Sequence, residues 1–341
     1  MELFMRNHEV FQHQDLLNQD GRIAEPGFAR TPVWRYNREN LPASHLRMKE
    51  WDYYMVMTDH FGVAFTISDL GYLRMASVSF LDFEKKTDTT KTFLAAPSMS
   101  YTMPASSDAG ICEWKSRGVL LRYETAPNGK HIYCEIQHFE KNAPFRADLW
   151  FENLPEESMN IAIPWKKERH FYLNQKINCM PCSGKVIHNW HVYHFDPAKD
   201  FGVQDWGRGY WPYETHWYWG TCSSSVKGKP FGFNLGYGFG DTSAASENMV
   251  FYHGKSWKLD DVEFQIPENP MDPWTITSSD GSFEAVFTPD LDRAARISLG
   301  PVSSDQHQYF GLVNGTCVLD GRMKVKMENL RAAFEDIANR Y

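Results

Sequence analysis

From Phe231 to Gly240 the chain alternates strictly: Phe231, Phe233, Leu235, Tyr237 and Phe239 hold one parity, while Gly232, Asn234, Gly236, Gly238 and Gly240 hold the other. A period of two is the signature of a strand, in which successive side chains point to opposite faces. One face of this strand carries large apolar groups and the other almost no side chain. A sheet tolerates such a bare face where another body comes close to the backbone. That body is either packed side chains or a ligand.

The same period-two logic governs most of the chain. From Trp51 onward, short runs rich in aromatic and β-branched residues follow one another, among them WDYYMVMT, GVAFTISDL, HIYCEIQHF and FRADLWFEN, with turn residues between them such as Pro127, Asn128 and Gly129. Residues 1–50 are broken by Gly21, Pro26, Gly27, Pro32 and Pro42 and read as an irregular arm laid over the body. The polar, Pro-containing LPEESMN (Leu154 to Asn160) reads as a boundary between a first half, 51–155, and a second, 156–341. Near the C-terminus, Leu330, Ala333, Phe334 and Ile337 fall at helical spacing and predict an amphipathic helix over Asn329 to Arg340. The expected class is therefore all-β, with two antiparallel barrel-like halves in tandem and a C-terminal helix. A small barrel can hold one apolar ligand.

Charge and cysteine usage narrow the function. The chain of 341 residues carries 35 basic and 43 acidic side chains, a net charge of -8, with no basic block, which argues against a nucleic-acid partner or an anionic membrane surface. No stretch approaches the roughly 20 apolar residues of a membrane span, and MELFMRNHEVF lacks the pattern of a secretory leader. Six sparse cysteines in apolar runs fit buried, reduced thiols, and a cytoplasmic location is expected.

Chemistry-bearing residues crowd between His188 and Asp241. Asp205, Trp206, Gly207, Arg208 and Gly209 read as a loop or bulge in which Asp205 and Arg208 pair, either as structure or at the mouth of a cavity. An apolar site raises the pKa of such an acid and an adjacent Arg opposes the shift. Tyr213, Thr215, Trp217 and Trp219 share one face of a strand, with Glu214, His216 and Tyr218 on the other; such rings either fill a core or stabilise a developing cation. His188, His191 and His194 recur every third residue and cannot converge from a strand, and the Cys179–Cys182 pair stands without a second CxxC, so no metal is expected. His194, near Asp196, remains a candidate acid or base. Asp241, Glu247 and Asn248 flank the loop after the glycine-faced strand, where a carboxylate at a barrel rim could act as a general acid. No motif for nucleotide binding is present in its required setting, and no cofactor is expected.

The ordered set GFART (Gly27 to Thr31), KEWDYY (Lys49 to Tyr54), DLGY, DWGRG, WPY, WYWG, GFGD, EN (Glu247, Asn248), KLD, PW, SDG and DR resembles the family catalogued as domain of unknown function 2804, over almost the whole chain. More distantly, the two-part β pattern and aromatic middle are similar to the tandem lipocalin-like (calycin) group of carotenoid 1,2-hydratases and lipocalin-like Diels-Alderases and cyclases. That resemblance implies two calycin-like barrels with an apolar ligand held in or between them. It also implies protonation of an alkene by an acid framed by His, Trp and Tyr, residue types present here in His194, Asp205, Trp206, Tyr213 and Trp217.

The resulting expectation is a binder of an apolar, lipid or isoprenoid-like molecule, acting as a cofactor-independent hydratase, isomerase or cyclase. Asp205, Arg208, His194 and Tyr213 are the expected catalytic groups. Trp206, Trp211, His216, Trp217, Trp219, Asn234, Tyr237, Asp241, Glu247 and Asn248 are the expected ligand contacts. A lipid carrier or a structural interaction module are the alternatives.

Overall fold

Two large antiparallel sheets account for nearly all the ordered backbone in the computed structural model, which describes residues 6–41, 45–97, 103–299 and 302–340. The first sheet runs, neighbour to neighbour, Thr87–Ala95, Arg74–Asp82, Phe61–Asp69, Met48–Met57, Phe201–Tyr210, Phe171–His188, Ala143–Phe151, Gly129–Glu140, Val119–Ala126, Gly110–Ser116. Most neighbours are hairpin partners, so the order is that of an up-and-down meander. Its curl encloses an apolar core that includes Tyr54, Phe65, Trp114, Leu121, Ile132 and Phe145, called the lumen below.

The second sheet runs Lys255–Lys258, Met249–Tyr252, Lys229–Tyr237, Glu214–Val226, Met323–Arg340, Val302–Leu319, Phe283–Leu299, Trp274–Ser278, Val262–Gln265. It curls around its own core of Phe231, Phe233, Leu235, Trp274, Phe287 and Phe334. The all-β, two-half-barrel reading of the sequence is thus the architecture. Where the outer faces of the two sheets meet, a third cluster forms a seam, with Tyr53, Met55, Tyr172, Trp211, Trp219, Phe239 and Phe310 among its members.

Two expectations are corrected. The chain passes from the first sheet to the second across Trp211–Tyr213, not near residue 155, because LPEESMN only links strands that return to the first sheet: Phe171–His188 pairs directly with Ala143–Phe151. The C-terminal helix is a strand, Met323–Arg340, hydrogen-bonded on both sides. Its helical spacing has a local cause. Val325 and Met327 face the second core at one parity and Leu330, Ala332 and Phe334 at the other. The exchange occurs where the register shifts opposite Val313 and Gly315, beside Asn329 at φ 52°. Ala333 meanwhile packs in the seam, so both faces are buried and the alternation of a one-sided strand is lost.

Residues of the arm add short strands at the edge. Gly27–Ala29 pairs with Met159–Pro164, and Arg30 reaches across to Ser256 of the second sheet and to Glu9. The six cysteines are free and buried. Among the described residues no helix is long and apolar enough to cross a membrane.

Candidate functional site

The strand Phe201–Tyr210 is buried along its whole length, so each of its faces needs its own partners. Its odd positions, Val203, Asp205, Gly207 and Gly209, face the seam; its even positions, Gln204, Trp206 and Arg208, face the lumen and the arm. Asp205 and Arg208 therefore point in opposite directions and do not pair, which corrects the ion pair expected between them.

On the lumen side Arg208 is fully buried. It donates to Asp52 at 2.9 Å and to the carbonyls of Trp51, Gly207 and Pro104, and its Nε lies 4.0 Å from Glu50. Glu50 also accepts from Tyr36 at 2.6 Å and from Arg38 at 2.7 Å. The Arg208 guanidinium sits 4.2 Å over the Trp206 ring. Every charge in this network faces an opposite one.

The seam is different. Register places Lys176 beside Asp205 beside Tyr53 on the first sheet, and Gly236, Trp219, Glu335 and Gln308 in one row on the second. The rows face each other: Tyr53 meets Trp219 edge-on at 6.3 Å, and Lys176 Nζ sits 4.4 Å over the Trp219 ring. Lys176 makes a short ion pair with Asp205, which also accepts from Asn174 Nδ2 at 2.7 Å and Trp51 Nε1 at 2.9 Å.

Two further carboxylates lie within electrostatic range of the same lysine, Glu247 also of Lys258 and Glu335 also of Arg293. Glu247 comes from the loop after the glycine-faced strand and accepts from the Tyr172 hydroxyl at 3.1 Å. Glu335 accepts from Gln308 Nε2 at 2.7 Å and Trp217 Nε1 at 3.3 Å. Burial pushes Glu247 up to about 7, against the downward pull of Lys176 and with the upward push of Asp205. Burial likewise pushes Glu335 up to about 7, and Lys176 again opposes it. Glu335 is surrounded by protein yet keeps part of its surface accessible, as does the side chain of Asp205, at 12%.

Over this polar cluster the aromatic rings close a circuit: Trp51 contacts Trp211, Trp211 contacts Trp217, Trp217 contacts Phe239, Phe239 stacks on Tyr172, and Tyr172 stacks on Trp51. Three of these rings each hold one carboxylate, Trp51 that of Asp205, Tyr172 that of Glu247 and Trp217 that of Glu335. The glycines make the arrangement possible. A Cβ at Gly207 would lie 2.0 Å from the Trp51 ring, and one at Gly209 2.4 Å from Trp211 Nε1, so these indoles lie against bare backbone. A Cβ at Gly236 would lie 2.3 Å from Glu247 Oε1. The bare face of the alternating strand is thus covered partly from its own half, by Glu247 at Gly236, and partly by the first sheet, by Cys179 at Gly232.

The loop that delivers Glu247 is pinned from both sides. Asn248 accepts from the Gly236 amide at 2.8 Å and donates to the Asp260 carbonyl at 3.0 Å. Lys258, whose pKa burial lowers to about 7, donates to Ser246 Oγ and to the carbonyls of Asn248 and Leu259. Asn234 accepts from Trp219 Nε1 at 2.7 Å and donates to the Glu247 carbonyl at 2.9 Å.

Of the residues singled out from sequence, the seam gathers Asp205, Trp211, Trp217, Trp219, Asn234, Glu247 and Asn248. It does not gather the others. Trp206 and Arg208 face the lumen. His194 is exposed on the edge strand His191–Phe195. Tyr213 is exposed under the Arg47 guanidinium, and His216 is exposed and paired with Asp336 at 2.7 Å. Tyr237 packs with Tyr218 and Phe264 on the second-core side, and Asp241 is exposed, capping its own turn through the Ser243 amide. The sequence reading misses Trp51, Tyr172, Lys176 and Glu335. The first three lie in ordinary strand runs, and Glu335 lies in the segment read as a helix. Among the described residues no three His, Cys, Asp or Glu side chains are grouped to hold a metal ion.

Comparison with known proteins gives three findings. No curated protein matches the chain. Among solved structures, kievitone hydratase from Nectria haematococca is 12% identical with a TM-score of 0.46, covering 99% of this chain and 98% of its own. CghA is 8% identical with a TM-score of 0.45, covering 96% and 97%. A family model matches residues 7–341, and the chain accordingly belongs to the family described as domain of unknown function (DUF2804).

Proposed function

We propose that the seam between the two half-barrels is an acid–base site for an apolar small molecule, lipid- or isoprenoid-like, which it hydrates, isomerises or cyclises without a cofactor. The observation that carries this reading is a pair of buried acids held by neutral donors. Beneath a circuit of aromatic rings Lys176 pairs with Asp205, while Glu247 and Glu335, bonded by Tyr172, Gln308 and Trp217 and pulled on from further off by Lys258 and Arg293 as well as Lys176, have pKa values near 7. An acid with a pKa near the working pH can deliver a proton and recover it. Ring faces stabilise the positive charge that protonation of an alkene creates.

Roles follow from the contacts. Asp205 is the counter-ion of Lys176 and is held by Asn174 and Trp51. That leaves Glu335, which keeps accessible surface, as the proton donor, and Glu247 as the second acid or base. Trp51, Tyr172 and Trp217 both orient the carboxylates and wall the site.

The test is native mass spectrometry of the gently purified protein, with solvent extraction and accurate-mass analysis of bound material. Turnover of the extracted class is then compared between wild type and Glu335→Gln. A single polyene, terpenoid or acyl species near unit ratio, converted by wild type and bound but not converted by the variant, is the expected result. Equal turnover by both proteins removes Glu335 from the chemistry, and an empty protein that shows no mass shift across a lipid panel sinks the reading.

A further inference from the structure

The lumen face of Phe201–Tyr210 carries something the seam does not. At the mouth of the first half-barrel a cavity of about 340 Å³ opens between the arm and the sheet, walled by Trp34, Tyr36, Leu173, Gln175, Trp206 and Ser107. Adjoining it, and sharing Ser106, Ser107 and Trp206 with it, is a smaller inner space of about 10 Å³ bounded also by Tyr123 and Gln204. The outer cavity is at the small end of the roughly 300–1,000 Å³ range of ligand pockets. The inner space is about what one oxygen atom needs, since a single water takes roughly 10–15 Å³ by the same measure.

Three polar atoms bounding the inner space have no hydrogen-bond partner among the described residues: the Trp206 indole N–H, the Gln204 amide oxygen and the Tyr123 hydroxyl. All three residues are buried, at 5%, 1% and 3% exposure. Buried polar groups are almost always paired, and leaving one unpaired is costly. One donor, one acceptor and one group that can be either together match an alcohol or phenol. Its oxygen accepts from Trp206 Nε1 while its hydrogen is donated to Gln204 Oε1. The unpaired atoms are all uncharged, and the cations around them are already matched, Arg35 on the outer wall by Asp15 and Arg208 by Asp52 and Glu50, with Asp108 and His13 also on the outer wall, so the inner space asks for a neutral ligand group.

We infer that the first half-barrel holds a second binding site, distinct from the seam, for an uncharged ring compound whose hydroxyl seats among Trp206, Gln204 and Tyr123 while its ring lies between Trp34, Tyr36 and Trp206. The arm then has a use beyond covering the sheet: it supplies two of the three aromatic walls.

The experiment is calorimetric titration of the full chain with 2-naphthol and with 2-methylnaphthalene, which has the same rings and a methyl group in place of the hydroxyl. The site predicts saturable binding of 2-naphthol at one equivalent, about tenfold or more tighter than the methyl compound, the loss expected when a buried hydrogen bond is not made. Trp206→Phe and Gln204→Leu should each erase that preference. Gln204→Leu keeps the side chain's size and removes an unpaired oxygen, so it should not unfold the protein; Trp206→Phe also gives up part of the ring beneath Arg208, and its fold is checked by circular dichroism before titration. Glu247→Gln, in the seam, should leave the preference intact. Equal affinity for the two probes, no saturable binding, or a preference that survives in both lumen variants overturns the inference. A preference abolished by Glu247→Gln also overturns it, and places the alcohol in the seam instead.

Discussion

The two faces of Phe201–Tyr210 bury charge in opposite ways. Toward the lumen, Arg208 is enclosed by Asp52 and Glu50, Glu50 is shared with Arg38 and Tyr36, and the charges close on themselves. Toward the seam, Lys176 answers Asp205 directly while Glu247 and Glu335 are held by the neutral donors of Tyr172, Gln308 and Trp217. A closed network is hard to ionise differently and serves structure. An open one must hold protons near neutrality, and that is the condition acid–base chemistry needs.

Removing the centre of the closed network gives the largest effect. Arg208→Met leaves Asp52 buried without its cation, while Glu50 keeps Arg38, and should cost about 3–5 kcal/mol, the usual penalty for breaking a buried ion pair from one side. Urea denaturation measures it, and a cost below about 1 kcal/mol would falsify the view that the lumen network is closed. Next comes the packing between the faces. Gly207→Ala puts a methyl group where the Trp51 ring lies and should cost about 1–3 kcal/mol, the usual range for overpacking. It should also weaken the Trp51 bond to Asp205, so tryptophan fluorescence should shift along with stability. An unshifted spectrum with a normal urea midpoint means the ring is not seated there.

The effect most specific to the open face is confined to one pH window. The pKa of Glu247 is raised from 4.5 in the unfolded chain to about 7 in the fold. The folded state therefore holds that proton more tightly. The stability it contributes is fully present below about 4.5 and is lost as the pH rises toward about 7. Glu247→Gln removes this dependence. The wild-type midpoint should fall relative to the variant between pH 4.5 and 7, with the gap constant above that range. A gap that does not change with pH means Glu247 is not buried as an acid.

Much of this molecule is legible in its amino-acid sequence, and what is not has physical causes. The alternation at Phe231–Gly240 locates a bare strand face, and Gly236 shows what covers it. Asp205, Trp217, Trp219 and Glu247 stand out because unusual residues cluster in the middle of the chain. Lys176, Trp51 and Tyr172 do not, since only strand register brings residues so distant in sequence together, and register is not written in composition. Glu335 is hidden by the bulge beside Asn329, which imposes a false helical period on a doubly buried strand. The pairing of Asp205 with Arg208 fails because a separation of three reverses faces once the segment is a strand.

That reversal has a wider consequence. Asp205 and Trp206 are neighbours in sequence and belong to different faces, so the strand between them works like a reading frame. Each substitution within it touches one face. A single inserted or deleted residue would turn every later side chain to the opposite face, exchanging acid for indole and glycine for arginine, and both arrangements would be lost in one step. Over evolutionary time this stretch should therefore vary in letters far more readily than in length.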